Sequence, residues 1–159
     1  MKVRDATRAD IPELSRVRMN VRENRIPDLS VLDPRDTERM LDGDGAGWVC
    51  EVDNQVVGFA MADLSNANVY ALFVEPEFES QGVGRLLHDT MMEWFFSAGL
   101  STVWLSTDPG TRAERFYRQA GWVATGRRAN GEIRFEMSRA VANRRLQPTT
   151  ADTIMRRCG

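Results

Sequence analysis

Two glycines mark where this chain can do chemistry. In Gln81-Gly82-Val83-Gly84-Arg85-Leu86-Leu87 they follow an apolar run over residues 69–74 and open an amphipathic helix. A glycine-bearing turn between strand and helix leaves several backbone N–H groups unpaired and pointing the same way, with the helix dipole behind them. Such a turn suits a phosphate or diphosphate. A nucleoside-triphosphate loop would need Gly-Lys-Ser/Thr, but Arg85-Leu86 follows the second glycine; a dinucleotide turn would need a third glycine where Leu87 stands.

The other reactive side chains are few. Tyr117 carries a phenol with an ordinary pKa of about 10, so it is protonated near neutrality and able to give up a proton. It also shares a helix face with Ala113, Phe116 and Ala120, and on spacing alone a core aromatic fits equally well. Glu75 and Asp108 stand at strand ends, where each is either a base acting through water or an ordinary turn residue. His88, the only histidine, falls one turn after Gly84 and is expected to be a surface or packing residue. Glu114 reads as part of a capping box, Thr111-Arg112-Ala113-Glu114.

These residues need a frame, and the periodicities supply one. Strands are predicted over residues 2–6, 48–52, 56–62, 69–74, 102–107, 122–127 and 132–137, with turn residues between the hairpin partners. Helical spacing runs over 11–22, 35–41, 84–98 and 112–120, with Gly99 just past the end of the third of these. Residues 23–33, which include Pro27, read as a loop. The order β, α, α, β, β, β, α, β, α, β, β predicts an α/β domain: a mixed, mostly antiparallel sheet of six to seven strands with helices on both faces. The strand–helix–strand step through residue 84 should be a parallel crossover. The pattern dissolves after Ser138, which predicts a domain over 1–138 and a flexible tail over 139–159.

Composition narrows the class. A chain of 159 residues, 42% hydrophobic, suits one packed domain. A formal net charge of -2 offers no basic field, which argues against nucleic acid as the main partner. No apolar run approaches the roughly 18 residues of a membrane span. Cys50 and Cys158 have no metal or redox spacing, and no metal site is expected; Cys50 reads as a reduced core thiol. A cytoplasmic location is the expectation. A homodimer through a sheet edge or the Arg-rich tail is compatible with the sequence but not required by it. Trp48, Trp94, Trp104 and Trp122 are too dispersed for a ligand cage and are assigned to the core.

Two segments carry a family resemblance. Leu72-Phe73-Val74-Glu75-Pro76 running into Gln81–Leu87, followed by Phe116-Tyr117-Arg118-Gln119-Ala120-Gly121-Trp122, resembles the GNAT family of acyl-CoA-dependent N-acetyltransferases over roughly residues 2–137. One position departs from the family's turn: Glu79 stands where a Gln or Arg is usual, so it is expected to face solvent or pair with a nearby arginine. The resemblance implies the GNAT fold, acetyl-CoA as co-substrate and direct transfer of an acetyl group to an amine. It further implies that Ser80, Gln81, Gly82, Val83, Gly84 and Arg85 bind the diphosphate. Leu72, Phe73 and Val74 would then pair with the pantetheine arm, Val74 N–H would polarise the thioester, and Tyr117 would be the catalytic acid. Arg112 and Arg115, at the start of the later helix, are either phosphate contacts or a solvated helix face. Acceptor choice would lie in residues 20–41 and 124–134, where Asp28, Asp33 and Asp36 are either lures for a cationic amine or a solvated loop. The alternative on the same fold is an acyl-CoA-binding regulatory module without turnover.

Overall fold

The computed structural model describes residues 1–21 and 33–146; the loop expected over 23–33 (apart from Asp33), together with Asp28 and Cys158, lies outside the described residues. The elements are β1 (Lys2–Asp5), α1 (Ile11–Asn20), α2 (Pro34–Arg39), β2 (Gly45–Val52), β3 (Gln55–Asp63), β4 (Asn68–Val74), α3 (Val83–Ser97), β5 (Thr102–Thr107), α4 (Arg112–Ala120), β6 (Val123–Arg127), β7 (Ile133–Ser138) and α5 (Arg139–Leu146). The seven strands form one sheet in the order β1-β2-β3-β4-β5-β7-β6. Every neighbouring pair is antiparallel except β4 and β5. This is the mixed sheet that the element order predicts.

Strand alternation sends side chains to two cores. Trp48 and Cys50 of β2, Val103 and Leu105 of β5, and Ile133, Phe135 and Met137 of β7 pack under α3 and α4 with Leu87, Met91 and Phe95. Val49, Phe59, Met61 and Ala71 face the opposite way and bury Leu14 and Val17 of α1. Close approach of α3 is built in at Gly58, where a Cβ would sit 3.0 Å from Val83 Cγ1 and 3.1 Å from Leu87 Cδ1.

The centre of the sheet opens. β4 and β5 pair at a single position, Asn68 opposite Trp104. On its other side β4 shifts register against β3 at Met61/Ala62, an irregularity of the kind that bends and twists a strand away from its neighbour. The far end of β4, which carries Leu72, Phe73 and Val74, therefore has no β5 partner.

Several boundaries differ from expectation; the helix expected over 11–22 ends at Asn20, where Val21 turns extended, and three others differ more. The helix predicted over 35–41 ends at Arg39, and a wide turn over Met40–Asp44 follows, broken at Gly43 with φ 137°. β2 starts at Gly45 rather than Trp48 because Gly45, Ala46 and Gly47 find partners in Asp63, Ala62 and Met61. The patternless tail expected from 139 begins instead with α5. Ser138 Oγ accepts the Val141 N–H at 3.2 Å, and the Arg139 guanidinium donates to the Phe96 and Leu100 carbonyls at 2.8 and 2.9 Å. Val141 and Ala142 pack against the larger core. Such a docked turn depends on partners distant in sequence, so its own periodicity is weak.

Candidate active site

The strand-to-helix turn has the geometry of an anion site. Ser80 and Gly82 both hold left-handed backbone, φ 63° and 89°, and Gly82 N-caps α3 with no side chain capping that end. Leu86 N–H is the first to bond inside the helix, to Gly82 O at 3.0 Å, so the N–H groups of Val83, Gly84 and Arg85 precede the intrahelical ladder. The two glycines differ in what they do. Gly82 supplies the positive φ. Gly84 has ordinary backbone, and a Cβ there would meet Phe116 and Val74 at 3.6 Å, an ordinary contact, so packing does not demand glycine at 84.

A cleft of about 380 Å³ runs from this turn to the open end of β4. Of the predicted site residues, Leu72, Phe73, Val74, Ser80, Gly82, Gly84, Arg85 and Tyr117 line it. Gln81 turns aside, its amide donating to Glu77 O at 3.1 Å, and the Val83 side chain is buried in the core; each contributes only backbone to the turn. At the β4 edge, Glu75 N–H donates to Val57 O at 2.8 Å, so by alternation Val74 and Leu72 direct their N–H and C=O groups away from β3, into the gap beside β5. Phe73 also lines the cleft, but its ring packs on the α1 face, 5.6 Å from the Phe59 ring centre and 4.6 Å from the Arg18 guanidinium, while its backbone faces β3.

Tyr117 reaches the same cleft from α4. It is 7% exposed and sits among Phe116, Trp122 and His88, with ring centroids 5.2, 5.7 and 6.4 Å away. Burial raises its pKa above the usual phenol value, so the hydroxyl keeps its proton across the neutral and mildly alkaline range. Tyr117 thus belongs to the core, as one of its two sequence readings has it, and it also lines the cleft.

The other candidates separate. Glu75 is buried and committed elsewhere: Arg16 Nη1 donates to it, and Asn20 Nδ2 lies 3.2 and 3.3 Å from its two oxygens. Its carboxylate ties α1 to the end of β4 and is absent from the cleft lining. Asp108 does not line the cleft either; its carbonyl accepts the Thr111 hydroxyl at 2.8 Å. His88 is buried as a packing residue, as expected. Glu114 accepts the Gly110 N–H at 2.9 Å while its own N–H donates to Thr111 Oγ1 at 3.2 Å, which fixes the start of α4. Asp33 caps α2 by accepting the Arg35 N–H at 2.9 Å. Trp48, Trp94 and Trp122 join the α3 core, but Trp104 faces the opposite side, with the Arg134 and Arg128 guanidiniums 4.3 and 5.4 Å from its ring centre.

Some lining residues went unassigned in the sequence. Val21, Ala113, Phe116 and Gln119 complete the cleft, together with Glu79 and Arg112. Glu79 does pair with an arginine: Arg112 Nη1 lies 3.4 Å from its carboxylate, and Arg112 Nη2 donates to Ser80 Oγ. Arg115 is not among the lining residues.

The fold agrees with comparisons to known proteins. The family described as "Acetyltransferase (GNAT) family" matches residues 13–122, and the chain belongs to that family. The peptidyl-lysine N-acetyltransferase YjaB of Salmonella typhimurium is 32% identical over 81 residues, which are 50% of this chain and 52% of YjaB. The match thus spans about half the length of that relative. A ribosomal-protein-alanine N-acetyltransferase from Brucella melitensis superposes with a TM-score of 0.72 at 18% identity, covering 87% of this chain and 99% of that one. The PaiA N-acetyltransferase from Thermoplasma acidophilum, in complex with coenzyme A, gives 0.73 at 12% identity over 86% of this chain and 98% of its own. At these identities the superpositions establish the fold.

Proposed function

We propose that this protein is an acetyl-CoA-dependent N-acetyltransferase that moves an acetyl group to a primary amine by direct attack, with both substrates bound together. The observation that carries the reading is the meeting, in one cleft, of an uncapped glycine-opened helix N-terminus, a free strand edge and a buried phenol. Family membership supports it, as do relatives named for peptidyl-lysine and ribosomal-protein-alanine acetylation and a fold neighbour with coenzyme A bound.

Each residue then has a task. The N–H groups of Val83, Gly84 and Arg85 hold the diphosphate, with Ser80 at the entrance and Gln81 and Gly82 shaping the turn. Leu72 and Val74 pair with the amides of the pantetheine arm as an added strand would, and Phe73 packs beside it. Val74 N–H polarises the thioester carbonyl as negative charge grows on its oxygen. The amine nitrogen attacks the carbonyl carbon; the C–N bond forms, the C–S bond breaks, and Tyr117 gives its proton to the leaving sulfur. Glu75 and Asp108 are both off the cleft, and neither is assigned as the base that takes the amine's proton. No covalent enzyme intermediate is needed. A cytoplasmic location belongs to this proposal.

The test mixes the full chain with acetyl-CoA and a panel of amines: a lysine peptide, a peptide with N-terminal alanine, a polyamine and an aminoglycoside. Thiol release matched by an acceptor that gains one acetyl group supports the reading. Coenzyme A binding with no amine ever acetylated supports the acyl-CoA-binding module instead.

A further inference from the structure

An anion site with a carboxylate on its lip contradicts itself unless something neutralises the carboxylate. Among the described residues lining the cleft, the charged side chains are Glu79, Arg85 and Arg112. Arg85 leans along its own helix towards Asp89, 3.5 Å away and one turn on. Arg112 crosses from the first position of α4 to the turn before α3, pairing with Glu79 at 3.4 Å and donating to Ser80 Oγ. Ser80 is a non-glycine residue with φ 63°, a conformation that costs an L-residue about 1–2 kcal/mol. Arg112 donates to the hydroxyl of this strained residue and so reaches across to the turn.

We propose that Arg112 and Glu79 form one coupled phosphate-binding unit. Arg112 contacts the diphosphate of coenzyme A, and Glu79 holds the guanidinium over the turn before the ligand arrives. This inference rests on the acetyl-CoA reading above. The two charges come from different elements, so the pair also ties α4 to the turn and sets the width of the cleft mouth. With Arg112 in place, the Glu79 charge is screened at short range. Without Arg112, the carboxylate faces the incoming phosphates unpaired, and the loss combines a missing attraction with an unmasked repulsion. The sign of the coupling follows: Arg112 matters most when Glu79 is present.

The test is a double-mutant cycle on coenzyme A affinity by isothermal titration, with wild type, Glu79→Gln, Arg112→Gln and the double variant. Arg112→Gln is expected to weaken binding about twentyfold or more in the wild-type background and about fivefold or less in the Glu79→Gln background. Glu79→Gln alone is expected to weaken binding about twofold, because the guanidinium loses the carboxylate that holds it, whereas in the Arg112→Gln background the same change should tighten binding. Arg112→Lys keeps the charge but not the planar fork and should recover part of the loss. Arg112→Gln should also flatten the dependence of affinity on salt. Dephospho-coenzyme A should show the same coupling, because it keeps the diphosphate.

Equal Arg112 losses in both backgrounds overturn the coupled unit. Coupling that vanishes with dephospho-coenzyme A overturns the diphosphate assignment in favour of the ribose phosphate. Loss without lysine recovery and without a change in salt slope makes Arg112 a merely structural residue and also overturns the proposal. A wild-type chain that binds no coenzyme A overturns the parent reading and this inference with it, whereas wild-type binding with additive losses overturns the inference alone.

Discussion

Trp122 Nε1 donates to His88 Nε2 across 2.9 Å, and His88 Nδ1 lies 2.9 Å from Asp89 Oδ1. An indole N–H only donates, so Nε2 must be the accepting nitrogen and the imidazole proton sits on Nδ1, facing the aspartate. The histidine is thus a fixed spacer between α3 and the end of α4, and Phe116 and Tyr117 pack against its ring at centroid distances of 5.7 and 6.4 Å. Tyr117 is packed at the cleft wall within this aromatic group.

Replacing Trp122 with phenylalanine keeps most of the packing but leaves His88 Nε2 buried without its donor. An unsatisfied buried acceptor costs about 1–3 kcal/mol, and urea unfolding of Trp122→Phe should show a loss of that size. An unchanged midpoint would mean that the indole bond is not made.

Tyr117→Phe separates the acid role from the packing role. The ring stays, so the melting temperature and coenzyme A affinity should change little, while kcat falls at least about tenfold, within or below the usual range for a lost general acid. Alkaline behaviour carries a second signature. Burial holds the folded-state pKa of Tyr117 above its unfolded value of about 10, so stability is flat below that pH and declines as pH rises beyond it. Tyr117→Phe should lack that part of the decline.

Glu75→Gln tests whether the end of β4 holds a base. The carboxylate takes hydrogen bonds from Arg16 and Asn20, so the amide should destabilise the protein by about 1–3 kcal/mol. Folded Glu75→Gln should keep kcat within about threefold of wild type, far less than the effect of removing a general base. A large loss of kcat with an unshifted pH profile of stability would restore Glu75 as a base.

Much of this was legible in the sequence because local and global signals agree. The glycine turn, the apolar strand before it and the capping box at Thr111 each depend on residues within one or two turns, and each lies where its spacing puts it. What escaped depends on contacts far apart in the chain. Glu75 reads locally as an acid beside a proline turn, and only the fold brings Arg16 to it. That Glu79 could take an arginine partner was readable, but only the fold names Arg112, from a different element, as that partner, and α5 docks through carbonyls at the end of α3. Trp104 reads as core by its type, yet strand alternation turns it to the face where arginines cover it.

Acid stability should depend on the link between β1 and the start of α1. Asp10 accepts from Arg4 Nη1 and Nη2 at 2.9 and 2.8 Å and from the Thr7 N–H at 2.7 Å, and the Arg4 hydrogen bond leads in holding its pKa below the usual carboxylate value. A depressed folded-state pKa contributes stability that is present above the unfolded value of about 3.9 and is lost as pH falls through the folded one. Unfolding midpoints of wild type and Asp10→Asn, compared from pH 7 down to pH 2, should converge at the acid end. A gap that stays constant with pH would contradict the charge-assisted contact.

The central claim is that main-chain N–H groups at the start of α3 hold the diphosphate of coenzyme A, and a crystal structure of the complex tests it most directly. The account predicts diphosphate oxygens about 2.7–3.2 Å from the backbone nitrogens of Val83, Gly84 or Arg85, with the pantetheine arm beside Leu72 and Val74. Coenzyme A bound elsewhere on the chain, with that helix end still filled by protein or solvent, would contradict it.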